Sequence, residues 1–268
     1  MKTPDKVTVK TFIQMKKQKE KIAVLTAYDF FTARILDEIG IDSILVGDSA
    51  NMVFYGAKNT LSIKMEQMLY HTMAVSSAVK RALVIGDMPF LSYQTSISDA
   101  VANAGLFLKE GGAEAVKIEG GIEMVDTIKK IVDVGIPVMG HIGLVPQSIH
   151  RFGGYLPQGK NQESSKYLLE SAQALGDAGC FSMVLEAIPK DLAKKITDSI
   201  NIPTIGIGAG VHCDGQVLVI NDLLGLFDEF KPKFVRRYAH LSENTRNACQ
   251  EYLRDVKSGK FPSEEESY

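Results

Sequence analysis

Residues 43–49 read SILVGDS, an apolar run that stops abruptly on an aspartate and a serine. A carboxylate withdrawn from water is costly unless a cation, a donor cluster or a solvent-filled mouth meets it. The pattern returns at 83–87 (LVIGD), 115–119 (AVKIE) and 181–186 (FSMVLE), each an apolar stretch closing on an acid. Four further β-type runs complete the series: IAVLTAY (22–28), PVMGHIGL (137–144), PTIGIGAG (203–210) and GQVLVINDLLG (215–225). Eight candidate strands follow, nearly continuous in apolar residues, as expected where a parallel sheet is covered on both faces.

Between them lie amphipathic stretches at 63–80, 97–109, 123–134 and 164–177, with apolar residues three and four apart. Helix gives way to strand at a repeated punctuation: DEIGIDSI (37–44), KEGGAEAV (109–116), DVGIPV (133–138) and DAGCFSM (177–183). Glycine there suits a left-handed helix stop. Repeated βα units with right-handed crossovers predict an α/β fold of the (β/α)8 TIM barrel type. A doubly wound open sheet is the alternative.

A chain of 268 residues suits one such barrel, which typically takes roughly 250. The expectation is a single barrel domain over 1–268, with an N-terminal capping helix within 1–20 and a C-terminal helical extension over 231–268. Val7 to Lys19 reads as a helix capping the barrel floor, and KKQKEK (16–21) as its solvated face. A second helix, from Glu243 to Lys257, carries the stripe Leu241, Thr245, Ala248, Cys249, Tyr252 and Val256. Ser242 is its expected N-cap and Gly259 its stop, the stripe packing on the barrel or a partner subunit; the tail SEEESY should fray.

The composition, 45% hydrophobic and 23% charged, is that of an ordinary globular protein. A formal net charge of −2 provides no footprint for nucleic acid or an anionic membrane. No apolar segment reaches the roughly 18 residues of a membrane span, and MKTPDKVTVK lacks the apolar core of a signal peptide, so a cytoplasmic protein is expected. Cys180, Cys213 and Cys249 are odd in number and include no CxxC pair, which argues against disulfides and zinc and for inert thiols.

In an α/β barrel the C-terminal strand ends share one mouth, and neighbouring strands lie roughly 4.8 Å apart. Asp48, Asp87 and Glu119 can therefore reach one cation. Oxygen ligands without histidine or thiolate suit Mg²⁺. The plainer reading makes each acid a cap for the next helix, but three like charges so close would repel unless a cation sat among them. Lys117, two residues from Glu119, points to the same face, either as its counter-ion or as an ammonium for a substrate carboxylate or enolate. Ser49 can present its hydroxyl or N–H to an anion. Glu186 follows an apolar stretch that would desolvate its carboxylate and favour a general base, with a buried salt bridge as the alternative. His141 sits at a strand end as an accessory hydrogen-bonding group or a structural histidine. GIGAG (206–210) is a weak phosphate-loop signal, since its glycines can equally serve close backbone packing.

VGDS (46–49), GDMPF (86–90), EGGAEAVKIEGG (110–121), GHIGLVPQ (140–147), GG (153–154), LEAIP (185–189), IGIGAG (205–210), DGQVLVINDLLG (214–225) and PKFVRRYA (232–239), in that order, resemble the ketopantoate hydroxymethyltransferase family. The likeness runs from the N-terminal helix to the FP near 261. It implies a Mg²⁺-dependent (β/α)8 barrel in a large homo-oligomer, a decamer. The implied reaction passes a one-carbon unit from 5,10-methylenetetrahydrofolate, as co-substrate, to 3-methyl-2-oxobutanoate, giving 2-dehydropantoate for pantothenate synthesis. By that resemblance Asp48, Asp87 and Glu119 surround the metal, Ser49, Asp87 and Lys117 contact the oxo acid, Asp48 lies against it, and Glu186 is the catalytic base.

The bottom-up site agrees with such chemistry: a hard ion and Lys117 would hold negative charge while Glu186 removes a C–H proton, and the enolate then forms a C–C bond. Two other readings compete. One is a Mg²⁺-dependent lyase of the phosphoenolpyruvate mutase and isocitrate lyase type, which would need a catalytic cysteine in a mobile loop that this sequence does not present. The other is a non-catalytic barrel binding a phosphorylated ligand through GIGAG.

Overall fold

The computed structural model describes residues 5–152, 154, 156–227 and 232–268. The chain divides into two compact units, the first ending at Val219 and the second spanning Ile220 to Tyr268.

The first unit is a closed barrel of eight parallel strands in chain order: β1 Ile22–Thr26, β2 Ser43–Val46, β3 Leu83–Asp87, β4 Ala115–Glu119, β5 Val138–Gly143, β6 Ser182–Glu186, β7 Thr204–Ile207 and β8 Gly215–Leu218. Strand β8 pairs with β1 through Ile22↔Gly215 to Leu25↔Leu218, so the open doubly wound sheet is excluded. All eight expected strands are present. The eighth is shorter than its apolar run, because the ladder with β1 ends at Leu218 and Ile220–Leu223 turns into a helix instead.

The helices are α1 Val9–Gln18, α2 Phe30–Glu38, α3 Ala50–Val53, α4 Met65–Ala78, α5 Ile97–Lys109, α6 Val125–Asp133, α7 Ile149–Phe152, α8 Gln162–Asp177, α9 Lys190–Ser199, α10 Ile220–Leu223 and α11 Leu241–Ser258. Helix α5 matches its predicted bounds. Helix α8 starts two residues earlier than expected because Asn161 caps it, its side chain accepting the Ser164 N–H at 2.8 Å. The 123–134 segment opens as a 3₁₀ turn, Ile122–Met124, before α6. Left-handed glycines end helices as anticipated, at Gly135 (φ 92°) after α6 and Gly179 (φ 99°) after α8.

Helix α1 plugs the N-terminal end of the barrel: Phe12 and Met15 join Ile22, Val24, Leu45, Leu83 and Ile205 in one buried cluster. Its basic run is not merely solvated. Lys16 Nζ donates to Asp214 Oδ2 at 2.8 Å and to the Thr197 carbonyl at 2.9 Å, and Lys21 Nζ reaches the Cys213 carbonyl. The GIGAG turn is packing, too: a Cβ at Gly206 would meet Cys213 Sγ at 2.9 Å, and one at Gly210 would meet Lys190 Cβ at 2.7 Å.

In the second unit α11 begins at Leu241, not after Ser242. The Leu241 and Ser242 N–H groups donate to the Leu224 and Gly225 carbonyls, so the turn after α10 does the work expected of a serine cap. Gly259 ends the helix with φ 70°, as predicted, and none of the helix's residues is buried. The tail departs from the expectation of fraying: Glu264–Glu266 form a 3₁₀ turn closed by the Ser263 N–H on Glu266 Oε2 at 2.9 Å. Gly153 and Lys231, part of the GG motif and the expected first residue of the extension, lie outside the described residues.

Cys180 and Cys213 are buried and Cys249 is exposed. Burial pushes the Cys180 thiol up to about 12, beyond what its hydrogen bond with Gly140 offsets, and burial also raises Cys213. Thiolate, the reactive form, is therefore scarce at both positions at pH 8. Iodoacetamide at that pH should label Cys249 alone in the folded protein and all three thiols in urea, as read by mass spectrometry; rapid native labelling of Cys180 would contradict this packing.

Candidate active site

Each expected acid ends a strand. Asp87 and Glu119 are the last residues of β3 and β4, Asp48 lies two past β2, and Glu186 ends β6. The register places Asp87 beside Lys117, Glu119 beside His141, and Gly143 beside Glu186. Parallel pairing thus turns residues far apart in sequence into neighbours around one rim.

The side chains form a continuous line across five strands. The Asp48 N–H donates to Asp87 Oδ2 at 3.1 Å. Lys117 Nζ donates to Asp87 Oδ1 at 2.6 Å and to Glu119 Oε1 at 3.2 Å. His141 stands between two carboxylates, Nδ1 at 3.4 Å from Glu119 Oε1 and Nε2 at 3.2 Å from Glu186 Oε2. Neither ring nitrogen is aligned for a hydrogen bond, so these contacts act as ion pairs. Asp48, Asp87, Lys117, Glu119 and His141 are all buried, whereas the Glu186 side chain keeps 15% of its surface open. The desolvation expected of Glu186 is partial, because β6 ends there and leaves its side chain less enclosed than the other acids.

Electrostatics sorts the acids into two kinds. Burial, then the nearby Asp87 and Glu119 charges, push Asp48 well above the usual carboxylate range. Burial also raises Asp87, against the opposing pull of Lys117. Glu119 goes the other way: burial opposes its charge, but Lys117, His141 and the Gln147 N–H outweigh it and bring Glu119 down to about 2. For Lys117 burial is overcome by Asp87, Glu119 and Asp48, which raise it. His141 rises to about 9, since Glu119 and Glu186 outweigh burial and the Lys117 charge.

Two left-handed residues shape the rim beside Glu186. Gly143 (φ 102°) lies so close that a Cβ would meet the Glu186 carbonyl oxygen at 2.3 Å, and Ala187 takes φ 47°, a conformation that costs a non-glycine residue of order 1–3 kcal/mol. Ser49 stands apart from the acid line; its Oγ shares a 2.8 Å hydrogen bond with the Tyr28 hydroxyl.

Sequence reading did not single out Gln147 and Tyr93. Gln147 Nε2 donates to Asp48 Oδ2 at 3.0 Å and to the Met88 carbonyl at 2.9 Å, while its N–H donates to Glu119 Oε2 at 3.0 Å. Tyr93 OH lies 2.7 Å from Gln147 Oε1. Tyr93 lies in the loop after β3 and Gln147 in a single 3₁₀ turn, Pro146–Ser148, after β5, segments too short for periodicity to mark a residue as inward-facing; Gln147 was visible only as the last letter of GHIGLVPQ.

The donor set fits a hard cation. Among the described residues, no three His, Cys, Asp or Glu side chains converge as a preformed cage, and Asp48 Oδ1 accepts no hydrogen bond. Two carboxylates raised by burial and by the charge of neighbouring acids, one with a vacant lone pair, match an ion that takes one or two protein oxygens and keeps water or substrate oxygens for the rest. Both Glu119 oxygens are already engaged by Lys117, His141 and Gln147.

Residues 6–264 match the family model described as ketopantoate hydroxymethyltransferase. The chain belongs to the ketopantoate hydroxymethyltransferase family. Within it, the chain is 56% identical over 262 residues to 3-methyl-2-oxobutanoate hydroxymethyltransferase of Geobacter metallireducens, covering 97% of this chain and 98% of the relative. The protein of that name from Syntrophus aciditrophicus is 51% identical, with 98% and 97% covered. Among solved structures, phosphonopyruvate hydrolase in complex with oxalate and Mg²⁺ superposes with a TM-score of 0.63 at 12% identity, covering 96% of this chain and 92% of that one. For 2,3-dimethylmalate lyase, a member of the phosphoenolpyruvate mutase and isocitrate lyase superfamily, the TM-score is 0.61 at 16% identity, with 97% and 90% covered. At those identities the likeness is one of fold. No helix among the described residues is long and apolar enough to cross a membrane.

Proposed function

We propose that this chain transfers a hydroxymethyl group from 5,10-methylenetetrahydrofolate to 3-methyl-2-oxobutanoate, giving 2-dehydropantoate. The observation that carries the reading is the buried Asp48–Asp87–Lys117–Glu119 line at the strand ends of a chain in this family. Asp48 and Asp87 would hold Mg²⁺ directly, and Glu119, its oxygens occupied, would act through water. Bound there, the ion supplies Lewis acidity to the oxo acid's carboxylate and keto oxygens.

The chain's own residues do the rest. Lys117, kept charged by three carboxylates, offsets the negative charge of the oxo acid, and Ser49, oriented by Tyr28, donates to its carboxylate. Glu186 takes the C3 proton, with His141 Nε2 3.2 Å away to balance the carboxylate's charge. One water hydrolyses both C–N bonds of the folate's methylene bridge, tetrahydrofolate leaving and the carbon being freed at the formaldehyde level. The C3 carbanion, delocalised as the enolate, bonds to that carbon, and its oxygen takes a proton to become the hydroxyl. A cytoplasmic location and a decameric homo-oligomer belong to the same proposal. Self-association has support in Phe31 and Ile35 on α2, Ile39 just after it, and Tyr70 and Met73 on α4, large apolar side chains left exposed.

The lyase alternative is weaker, since its catalytic cysteine has no counterpart: Cys180 and Cys213 are buried and Cys249 lies on α11. The test is product formation followed by NMR. EDTA should abolish formation of 2-dehydropantoate and excess Mg²⁺ should restore it; activity indifferent to both would remove Asp48 and Asp87 as metal ligands.

A further inference from the structure

Tyr93 is buried, with one hydroxyl proton and three neighbours. The Glu119 N–H at 3.2 Å can only donate to it; the Gln147 Oε1 at 2.7 Å and the Glu119 carbonyl at 3.3 Å can only accept. The shorter contact takes the proton, so Tyr93 donates to Gln147. Gln94 Nε2 donates to the same Oε1 at 3.1 Å. Two donors on one side fix which way the Gln147 amide faces, and its NH₂ must then point at Asp48 Oδ2 and the Met88 carbonyl. Flipped, the amide would set its oxygen against the Asp48 carboxylate.

The loop carrying Tyr93 is held in a demanding conformation. Leu91 takes φ 65°, in a turn closed by the Ser92 N–H on the Pro89 carbonyl at 3.1 Å, and Asn103 Nδ2 on α5 donates to the Ser92 carbonyl at 2.6 Å. A left-handed leucine persists only where its surroundings over-determine it, and such strain gathers at functional sites.

We propose that Tyr93 and Gln147 are positioning residues: a one-directional hydrogen-bond clamp that pins Asp48 through Oδ2, leaving Oδ1 for a divalent cation, while Gln147 N–H anchors Glu119. The inference rests on the reading of Asp48 and Asp87 as cation ligands and names the residues that preset their geometry. Partners behind a metal's ligands typically contribute about 10–100-fold to its affinity or to activity.

The test is calorimetric titration of the full chain with Mg²⁺ alone, for wild type, Tyr93→Phe and Gln147→Met. Each variant should bind Mg²⁺ about 10–100-fold more weakly, and its C3 deuterium exchange should return towards the wild-type rate at saturating Mg²⁺. A merely structural role would lower the melting temperature and leave the Mg²⁺ affinity of the folded protein unchanged; that result in either variant overturns the clamp. Should one variant fail to fold, the other decides. A flat wild-type isotherm overturns the metal reading and the clamp with it, whereas a normal wild-type isotherm with unaltered variants overturns the clamp alone.

Discussion

Glu186→Gln is expected to bind Mg²⁺ and 3-methyl-2-oxobutanoate much as the wild type does and to lose about 10²–10⁴-fold in the rate of C3 hydrogen exchange into deuterium oxide. The substitution keeps the shape of the side chain at the end of β6 and removes its charge, and with it the ability to take a proton. Its partner His141 keeps the Glu119 contact at 3.4 Å, so the rest of the line stays in place. Exchange followed by proton NMR needs no folate, which confines the readout to the enolisation step. Exchange at the wild-type rate would take the base role from Glu186, and loss of oxo-acid binding would make it a binding residue instead.

Lys117→Met should act on the fold as well as on the site. The ammonium lies 2.6 Å from Asp87 and 3.2 Å from Glu119, and all three side chains are at least 95% buried. Methionine fills a similar volume but leaves two carboxylates without their cation in a low-dielectric wall. Breaking a buried ion pair by removing one partner costs about 3–5 kcal/mol. The urea midpoint should fall accordingly, with product formation lost, and saturating Mg²⁺ should recover part of the stability because it binds the folded form alone. A midpoint equal to that of wild type would mean that the neighbouring acids are already neutral in the folded chain, and that Lys117 is not their counter-charge.

Much of the barrel could be read before any coordinates. The apolar runs of β2, β3, β4 and β6 each close on or just before an acid, and a strand's period of two puts Lys117 and Glu119 on one face whatever surrounds them. Helix boundaries were legible where a glycine must adopt positive φ, as at Gly135, and less so where a side chain outside the periodic run sets the start, as Asn161 does for α8. Ser242 misled because an N-cap is a local motif, whereas the first turn of α11 is satisfied by carbonyls of residues 224 and 225. The basic run of α1 misled likewise: Lys16 looks solvated until β8 brings Asp214 to it.

The local order of the chain, then, determined which residues form strands, which strand ends carry acids, and which side chains share a face, since all of these follow from backbone periodicity and the cost of burying charge. Tertiary structure alone decided how the acids divide: Glu119 saturated by Lys117, His141 and Gln147, Asp48 with an oxygen to spare, and Glu186 open to the mouth. Those differences depend on distances of a few ångströms between groups up to 99 residues apart, and on two residues of the connections between strands and helices, Tyr93 and Gln147, whose direction no periodicity encodes. Coulomb and hydrogen-bond energies vary steeply over that range, so identical residue types acquire different chemistry only once the barrel has closed.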